Sequence, residues 1–210
     1  MKIISYEWSM GKRERERRRQ REQRGPLIFI SHATADSDKP LVEALCTFMK
    51  GAGLGSGDYF CSSQTPYWFD PGKNDASQIY GLLDRAVVFL QLTTKVFLER
   101  PNCLLEVGYA ISRRRRDQAD RRAHRLQMLP VVVPPVDFEP INMMKLGTAI
   151  SLDDDTKNVK LFAAQLRKLL EQSGQPIHDD SWTAAAGQFV SNDWPKALSD
   201  YRRQSDDKVA

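Results

Sequence analysis

The most unusual position for a charge in this chain is Glu106, which lies in the apolar stretch PNCLLEVGYA, residues 101–110. Burying a carboxylate is costly unless it is paired, protonated or used chemically. At helical spacing Cys103, Val107 and Ala110 form an apolar row at i, i+4 and i+7, and Glu106 falls next to that row. We therefore expect Glu106 at the seam between core and surface, where it either faces solvent or lines a pocket.

Short apolar runs alternate with helical patterns through the middle of the chain. Strands are predicted at 26–31, 58–63, 86–92 and 127–136, and helices at about 39–50 (capped by Ser37 or Asp38), 75–85, 102–112 and 159–169. This alternation is typical of an α/β protein with a parallel sheet. Ligands of such sheets bind beyond the carboxyl ends of the strands. The segments that follow the first three strands should meet there, and Glu106 begins the second turn of the helix leaving the third.

The cysteines and the hydropathy pattern bound the class of protein. Three widely spaced cysteines are an odd set, which argues for a reducing cytoplasm and against a disulfide framework. Their spacing does not indicate a zinc site, so no metal is expected. The sequence contains no apolar run of about 18 residues, so we expect no membrane span.

Charge is concentrated in two segments. Residues 12–24 and 113–125 each carry a net charge of +5 against +4 for the whole chain, which leaves the remainder at −6. Both segments can contact phosphate groups, nucleic acid or an acidic partner, or they can be solvated helix faces. The run Arg113 to Arg116 extends the helix of Glu106, where a solvated basic end suits the helix dipole.

The same patterns divide the chain into three parts. Residues 1–25 form a basic N-terminal extension, residues 26–172 form the α/β domain, and residues 173–210 form a C-terminal tail. Trp182 and Trp194 indicate that this tail packs on something, either the domain itself or a partner.

Four segments together resemble a known family. IFISHATADSDKPLVEAL, the Pro71-Gly72 pair, AVVFLQLTT and CLLEVGYA are similar in order and spacing to the Toll/interleukin-1 receptor (TIR) domain in its bacterial form. The resemblance covers about residues 26–170. It implies a flavodoxin-like three-layer α/β sandwich around a central parallel sheet.

The resemblance also implies an activity. Many TIR domains break the bond between nicotinamide and ribose in NAD⁺, and they release ADP-ribose or a cyclic ADP-ribose-type signal. Glu106 matches the glutamate that is catalytic in that family, and NAD⁺ is then a substrate, with no cofactor expected. Stand-alone enzymes of this kind often serve antiphage defence, self-associate through TIR surfaces and make a product that a downstream effector senses.

The resemblance extends to a substrate-binding set. Ser31 can hydrogen-bond a ribose or phosphate and His32 can face the ligand through a neutral imidazole; the alternative is a turn-forming serine and a surface ring. Aromatic residues of the loop 64–74 can stack on adenine or nicotinamide, grip a neighbouring protomer, or fold back on the core. Lys73 can meet the pyrophosphate, while we interpret Cys103 as a small buried side chain rather than a nucleophile. The predicted substrate-binding residues are Ser31, His32, Phe60, Trp68, Phe69, Gly72, Lys73 and Cys103.

Two other functions remain open at this point. A TIR domain can be a non-catalytic adaptor that acts by homotypic assembly. A nucleoside-processing glycosyl transferase can also carry a lone catalytic glutamate on an α/β sheet. The presence of Glu106 favours catalysis over the adaptor.

Overall fold

A computed structural model describes residues 26–55, 57–63, 75–120, 125–139 and 149–206. Its strands are β1 (Ile28–Ser31), β2 (Tyr59–Cys61), β3 (Val88–Thr93), β4 (Gln127–Val132) and β5 (Ile150–Ser151). Its α-helices are α1 (Lys39–Gly51), α2 (Asp75–Leu83), α3 (Lys95–Glu99), α4 (Pro101–Ala119), α5 (Thr156–Gln172), α6 (Asp179–Gln188) and α7 (Trp194–Asp206).

The five strands of the described residues form one parallel sheet in the order β2-β1-β3-β4-β5. This is the flavodoxin-like order, so the predicted α/β fold with a central parallel sheet is confirmed. The order of the strands reverses between β1 and β3, which is where ligands of doubly wound sheets bind. The sequence did not indicate the two-residue strand β5 or the five-residue helix α3.

Side chains alternate strictly between the two faces of the sheet. On β1, Ile28 and Ile30 join one core with α1, α5, α6 and α7, whereas Phe29 joins a second core with α2, α3 and α4. Phe29 packs against Phe60 of β2 and Phe89 of β3, with ring centroids 4.9 and 5.8 Å apart. Because strand side chains repeat every two residues, Ser31 must share the face of Phe29 and meet α4.

The C-terminal segment folds onto the first core. Trp182, Phe189 and Trp194 are buried there, and the rings of Phe189 and Trp194 lie 5.6 Å apart. A π-helical turn, Phe189–Asp193, joins α6 to α7. Of the two alternatives for the tryptophans, the structure shows that they pack on the body of the protein.

The start of α1 differs from the sequence-based expectation. Asp38 occupies the N-cap position, as one of the two predicted alternatives, but its side chain makes no capping hydrogen bond there. The Asp38 carboxylate instead accepts from Thr94 Oγ1 at 2.7 Å and from Ser37 Oγ at 3.2 Å. Thr94 in turn caps α3 by accepting from the Phe97 N–H. Asp38 therefore fastens the start of α1 to the loop that follows β3.

The arginine run lies on α4, as expected, but it is not uniformly solvated. Arg115 and Arg116 are exposed, whereas Arg113 is buried and donates to the Leu83 carbonyl. Asp117, one turn further, is also buried and accepts from the Leu126 N–H at 3.1 Å. The expectation of a solvated helix end is wrong for Arg113, because this side chain ties α4 to the end of α2.

No helix in the described ranges has both the length and the apolar character needed to cross a lipid bilayer.

Candidate active site

The candidate site is built around a hydrogen bond between β1 and α4. Ser31 Oγ donates to Glu106 Oε2 at 2.6 Å. Ser31 is the last residue of β1 and is buried, and Glu106 lies in the second turn of α4. The contact places the carboxylate at the carboxyl edge of the sheet, as the order of strands and helices predicts.

The local sequence of α4 determines how Glu106 is presented. Cys103, Val107 and Ala110 are buried against the second core, as their spacing predicts. Glu106 is adjacent to that row and is half-buried, whereas the preceding Leu105 is exposed. Glu106 therefore lies at the seam between core and surface, where a carboxylate can be both partly desolvated and reachable.

Burial dominates the electrostatics of Glu106. Desolvation raises the pKa of its carboxyl from 4.5 to about 6, although the hydrogen bond from Ser31 and the nearby His32 both act to lower it. The group is therefore mostly ionised at neutral pH, and it is held in an environment that favours a positively charged neighbour. This property suits a carboxylate that stabilises positive charge during a reaction.

His32 is buried, with 5% of its surface exposed, so the alternative of a surface ring is excluded. Its Nδ1 lies 2.9 Å from the Ala33 carbonyl oxygen, to which it donates. Its Nε2 lies 3.3 Å from both Cys61 Sγ and Ser63 Oγ. Burial lowers the pKa of His32, but Cys61, the Ala33 carbonyl and Glu106 act together in the opposite direction, so the pKa is raised overall.

Cys61 contacts both other members of a polar cluster that consists of His32, Cys61 and Ser63. Its Sγ contacts Ser63 Oγ at 3.4 Å as well as His32. The pKa of the Cys61 thiol is lowered, first by a hydrogen bond from the Cys46 thiol and then by His32, while burial opposes the shift. The cluster therefore holds the backbone that follows β1 against the end of β2, next to the site.

Cys103 connects α4 to the backbone at the end of β1. The side chain is buried and its Sγ donates to the His32 carbonyl oxygen at 3.5 Å. Burial raises the pKa of this thiol to about 12, so it stays protonated at neutral pH. Since the thiolate is the nucleophilic form, Cys103 is placed as a small buried side chain that joins α4 to the end of β1.

Of the remaining predicted binding residues, only Phe60 falls within the described ranges. Phe60 is buried, and its ring packs on Phe29 in the second core. Trp68, Phe69, Gly72 and Lys73 lie outside the described residues. Of the predicted set, the structure gathers Ser31, His32 and Cys103 around the start of α4.

Sequence reasoning missed one polar residue of this region. Gln91 lies within the apolar run of β3 and is fully buried. It is in register with Ser31 and shares the face of Phe89 and Thr93. The sequence does contain a signal for Gln91: it is a polar residue in an otherwise apolar strand. Because side chains on a strand alternate between faces, its position also predicts which face it occupies.

No protein-family model and no curated protein matches this chain. Within the described ranges there is also no group of three or more His, Cys, Asp or Glu side chains arranged to hold a metal ion.

Proposed function

We propose that this protein cleaves the nicotinamide–ribose bond of NAD⁺, with Glu106 as its catalytic carboxylate. The observation that carries the proposal is the Ser31–Glu106 hydrogen bond at the carboxyl edge of a flavodoxin-like sheet. It combines a partly buried carboxylate, a neighbouring hydroxyl and the edge at which such sheets bind nucleotides.

Cleavage of this bond does not require the protein to protonate the leaving group. As nicotinamide departs, the ribose develops oxocarbenium character, and a nearby carboxylate stabilises that positive charge. Nicotinamide is cationic in NAD⁺ and leaves as a neutral molecule without protonation. A single carboxylate is therefore sufficient, in contrast to the carboxylate pair of most glycosidases.

The surroundings of Glu106 fit this role. Desolvation strengthens the interaction of its carboxylate with a cation, because the local dielectric is lower than that of water. Ser31 donates to one carboxylate oxygen, and among the described residues the other oxygen is available to accept a ribose hydroxyl. His32, fixed by Ala33 and Cys61, supports the backbone from which Ser31 projects.

The test is direct. The purified chain is incubated with NAD⁺ over a range of protein concentrations, and nicotinamide and nucleotide products are separated by chromatography. Glu106→Gln should reduce nicotinamide release by about 10²-fold or more, the range for losing one transition-state electrostatic contact. Glu99→Gln is the matched control, since Glu99 is an exposed glutamate at the end of α3, close to α4 in the chain.

Each outcome assigns the function differently. Nicotinamide release that survives Glu106→Gln rejects Glu106 as the catalytic residue. Release that is absent at every protein concentration favours a non-catalytic assembly domain. Cleavage of deoxynucleosides instead of NAD⁺ favours a nucleoside-processing glycosyl transferase.

A further inference from the structure

Gln91 is a polar side chain in a position that suits an apolar one. It lies in the middle of β3 and none of its surface is exposed. Its Nε2 donates to Thr93 Oγ1 at 3.0 Å, while its Oε1 has no hydrogen-bond partner within the described part of the chain. Leaving a buried acceptor unpaired destabilises a protein, and an apolar side chain of similar shape would avoid that cost.

The position of Gln91 is not arbitrary. β1 and β3 flank the point at which the strand order reverses, and there Ser31 pairs in register with Gln91. Both side chains point to the face covered by α4, one level above the rings of Phe29 and Phe89. On its other side Gln91 is in register with Pro130, whose side chain is apolar. Gln91 is thus a polar residue beside the Ser31–Glu106 pair.

Ser31 does not donate a hydrogen bond to the unpaired Oε1 of Gln91. A serine hydroxyl has one hydrogen, and that of Ser31 is donated to Glu106. The oxygen of Ser31 keeps its capacity to accept. Within the described part of the chain, the oxygen of Ser31 and the Oε1 of Gln91 can therefore both accept a hydrogen bond beside a carboxylate. The complementary group is a small hydrogen-bond donor.

We propose that Gln91 Oε1 accepts a hydrogen bond from a hydroxyl-bearing group beside Ser31 and Glu106: either the water that attacks the ribose or a hydroxyl of the ribose itself. This inference rests on the proposed function and adds to it a residue that the resemblance to TIR domains does not supply. In the first case nicotinamide leaves first, with the electron pair of the C–N bond, and the water oxygen then bonds to the cationic ribose C1. Gln91 holds one hydrogen of the water, and Glu106 takes the other as a proton before releasing it to solvent.

The experiment uses the full chain and two variants. Gln91→Met removes both polar atoms at nearly constant side-chain length, and Leu92→Met is the matched control, a buried residue of the same strand that faces the other core. Nicotinamide release is measured with and without added methanol, which competes with water and yields methyl ADP-ribose. Thermal unfolding of each protein is recorded in parallel.

Two results support the inference, and they separate the two sources of the hydroxyl. If the group is a ribose hydroxyl, Gln91→Met slows nicotinamide release about tenfold, the effect of losing one hydrogen bond. If the group is water, release is preserved but the ratio of methyl ADP-ribose to ADP-ribose rises. In both cases the thermal midpoint stays close to that of the wild type, because removal of the unpaired buried acceptor offsets loss of the hydrogen bond to Thr93.

The opposite results overturn it. Unchanged release and an unchanged product ratio mean that Gln91 binds nothing that matters to the reaction. A lower thermal midpoint with a proportional loss of activity, as any destabilised core variant would show, means that Gln91 is only structural. A wild-type protein that does not cleave NAD⁺ rejects the proposed function, and the role of Gln91 falls with it.

Discussion

Replacing Glu106 by glutamine should make the protein more stable while it removes the catalytic charge. Burial raises the pKa of Glu106 from 4.5 to about 6, so ionising this group costs more in the folded protein than in the unfolded chain. That difference in pKa corresponds to about 2 kcal/mol at pH values above both pKa values. In the Glu106→Gln variant the introduced amide stays neutral and still offers an oxygen to the Ser31 hydroxyl.

The difference in stability between wild type and Glu106→Gln should depend on pH. Below pH 4.5 Glu106 is protonated in both the folded and the unfolded states, so wild type and Glu106→Gln should unfold at similar temperatures. Between pH 4.5 and about pH 6 the unfolded chain releases the Glu106 proton while the folded protein retains it, so the wild type loses stability relative to the variant. For a chain of 210 residues, about 2 kcal/mol corresponds to a difference of about 4–8 °C in thermal midpoint at pH 8.

The assay is thermal unfolding of wild type, Glu106→Gln and Glu99→Gln in matched buffers from pH 4 to pH 8. The midpoint difference for Glu106→Gln should open between about pH 4.5 and pH 6.5 and then stay level. Glu99 is exposed, so Glu99→Gln should follow the wild type at every pH. A Glu106→Gln protein that melts below the wild type at pH 8 would refute the reasoning, because ionised Glu106 would then be a stabilising partner.

Three further outcomes are expected from the same contacts. The rate of NAD⁺ cleavage should fall about tenfold per pH unit below pH 6 as Glu106 takes a proton, and a flat profile from pH 4 to pH 8 would exclude the ionised form as the active one. Ser31→Ala removes a hydrogen bond that lowers the pKa of Glu106, so the acid limb of a pH–rate profile should move to higher pH; movement to lower pH would contradict this. Trp194→Ala should destabilise the fold by about 3–5 kcal/mol in chemical denaturation, and a loss below about 1 kcal/mol would show that α7 contributes little to the core.

Much of the architecture could be read from the sequence because short buried strands carry a strong signal. The apolar runs that contain β1, β3 and β4 are bounded by polar residues, and the helices between them show clear apolar rows. These features predict a parallel sheet, and the rule for its carboxyl edge then brings Ser31 close to the helix of Glu106. The short strand β5 has two residues, which is too few for any periodicity to appear.

The rest depends on contacts that are remote along the chain. His32 is buried because Cys61 and Ser63, about 30 residues further on, close over its ring. Asp38 is at the start of a helix, where capping is the local expectation, yet Thr94 competes successfully for its carboxylate. Gln91 lies within the apolar run of β3, whose overall hydrophobicity predicts a buried strand but does not show which face the amide occupies.

The pairing of β1 also limits how this protein can change in length. β1 has only four residues, and Ser31 faces Glu106 because it is two positions from Phe29. An insertion or deletion of one residue within β1 would turn every following side chain to the opposite face. The hydroxyl would then enter the core of α1 and α5, and an isoleucine would face the carboxylate. Insertions should therefore be tolerated in the loops between elements, while the count of residues in β1 is as constrained as the serine that ends it.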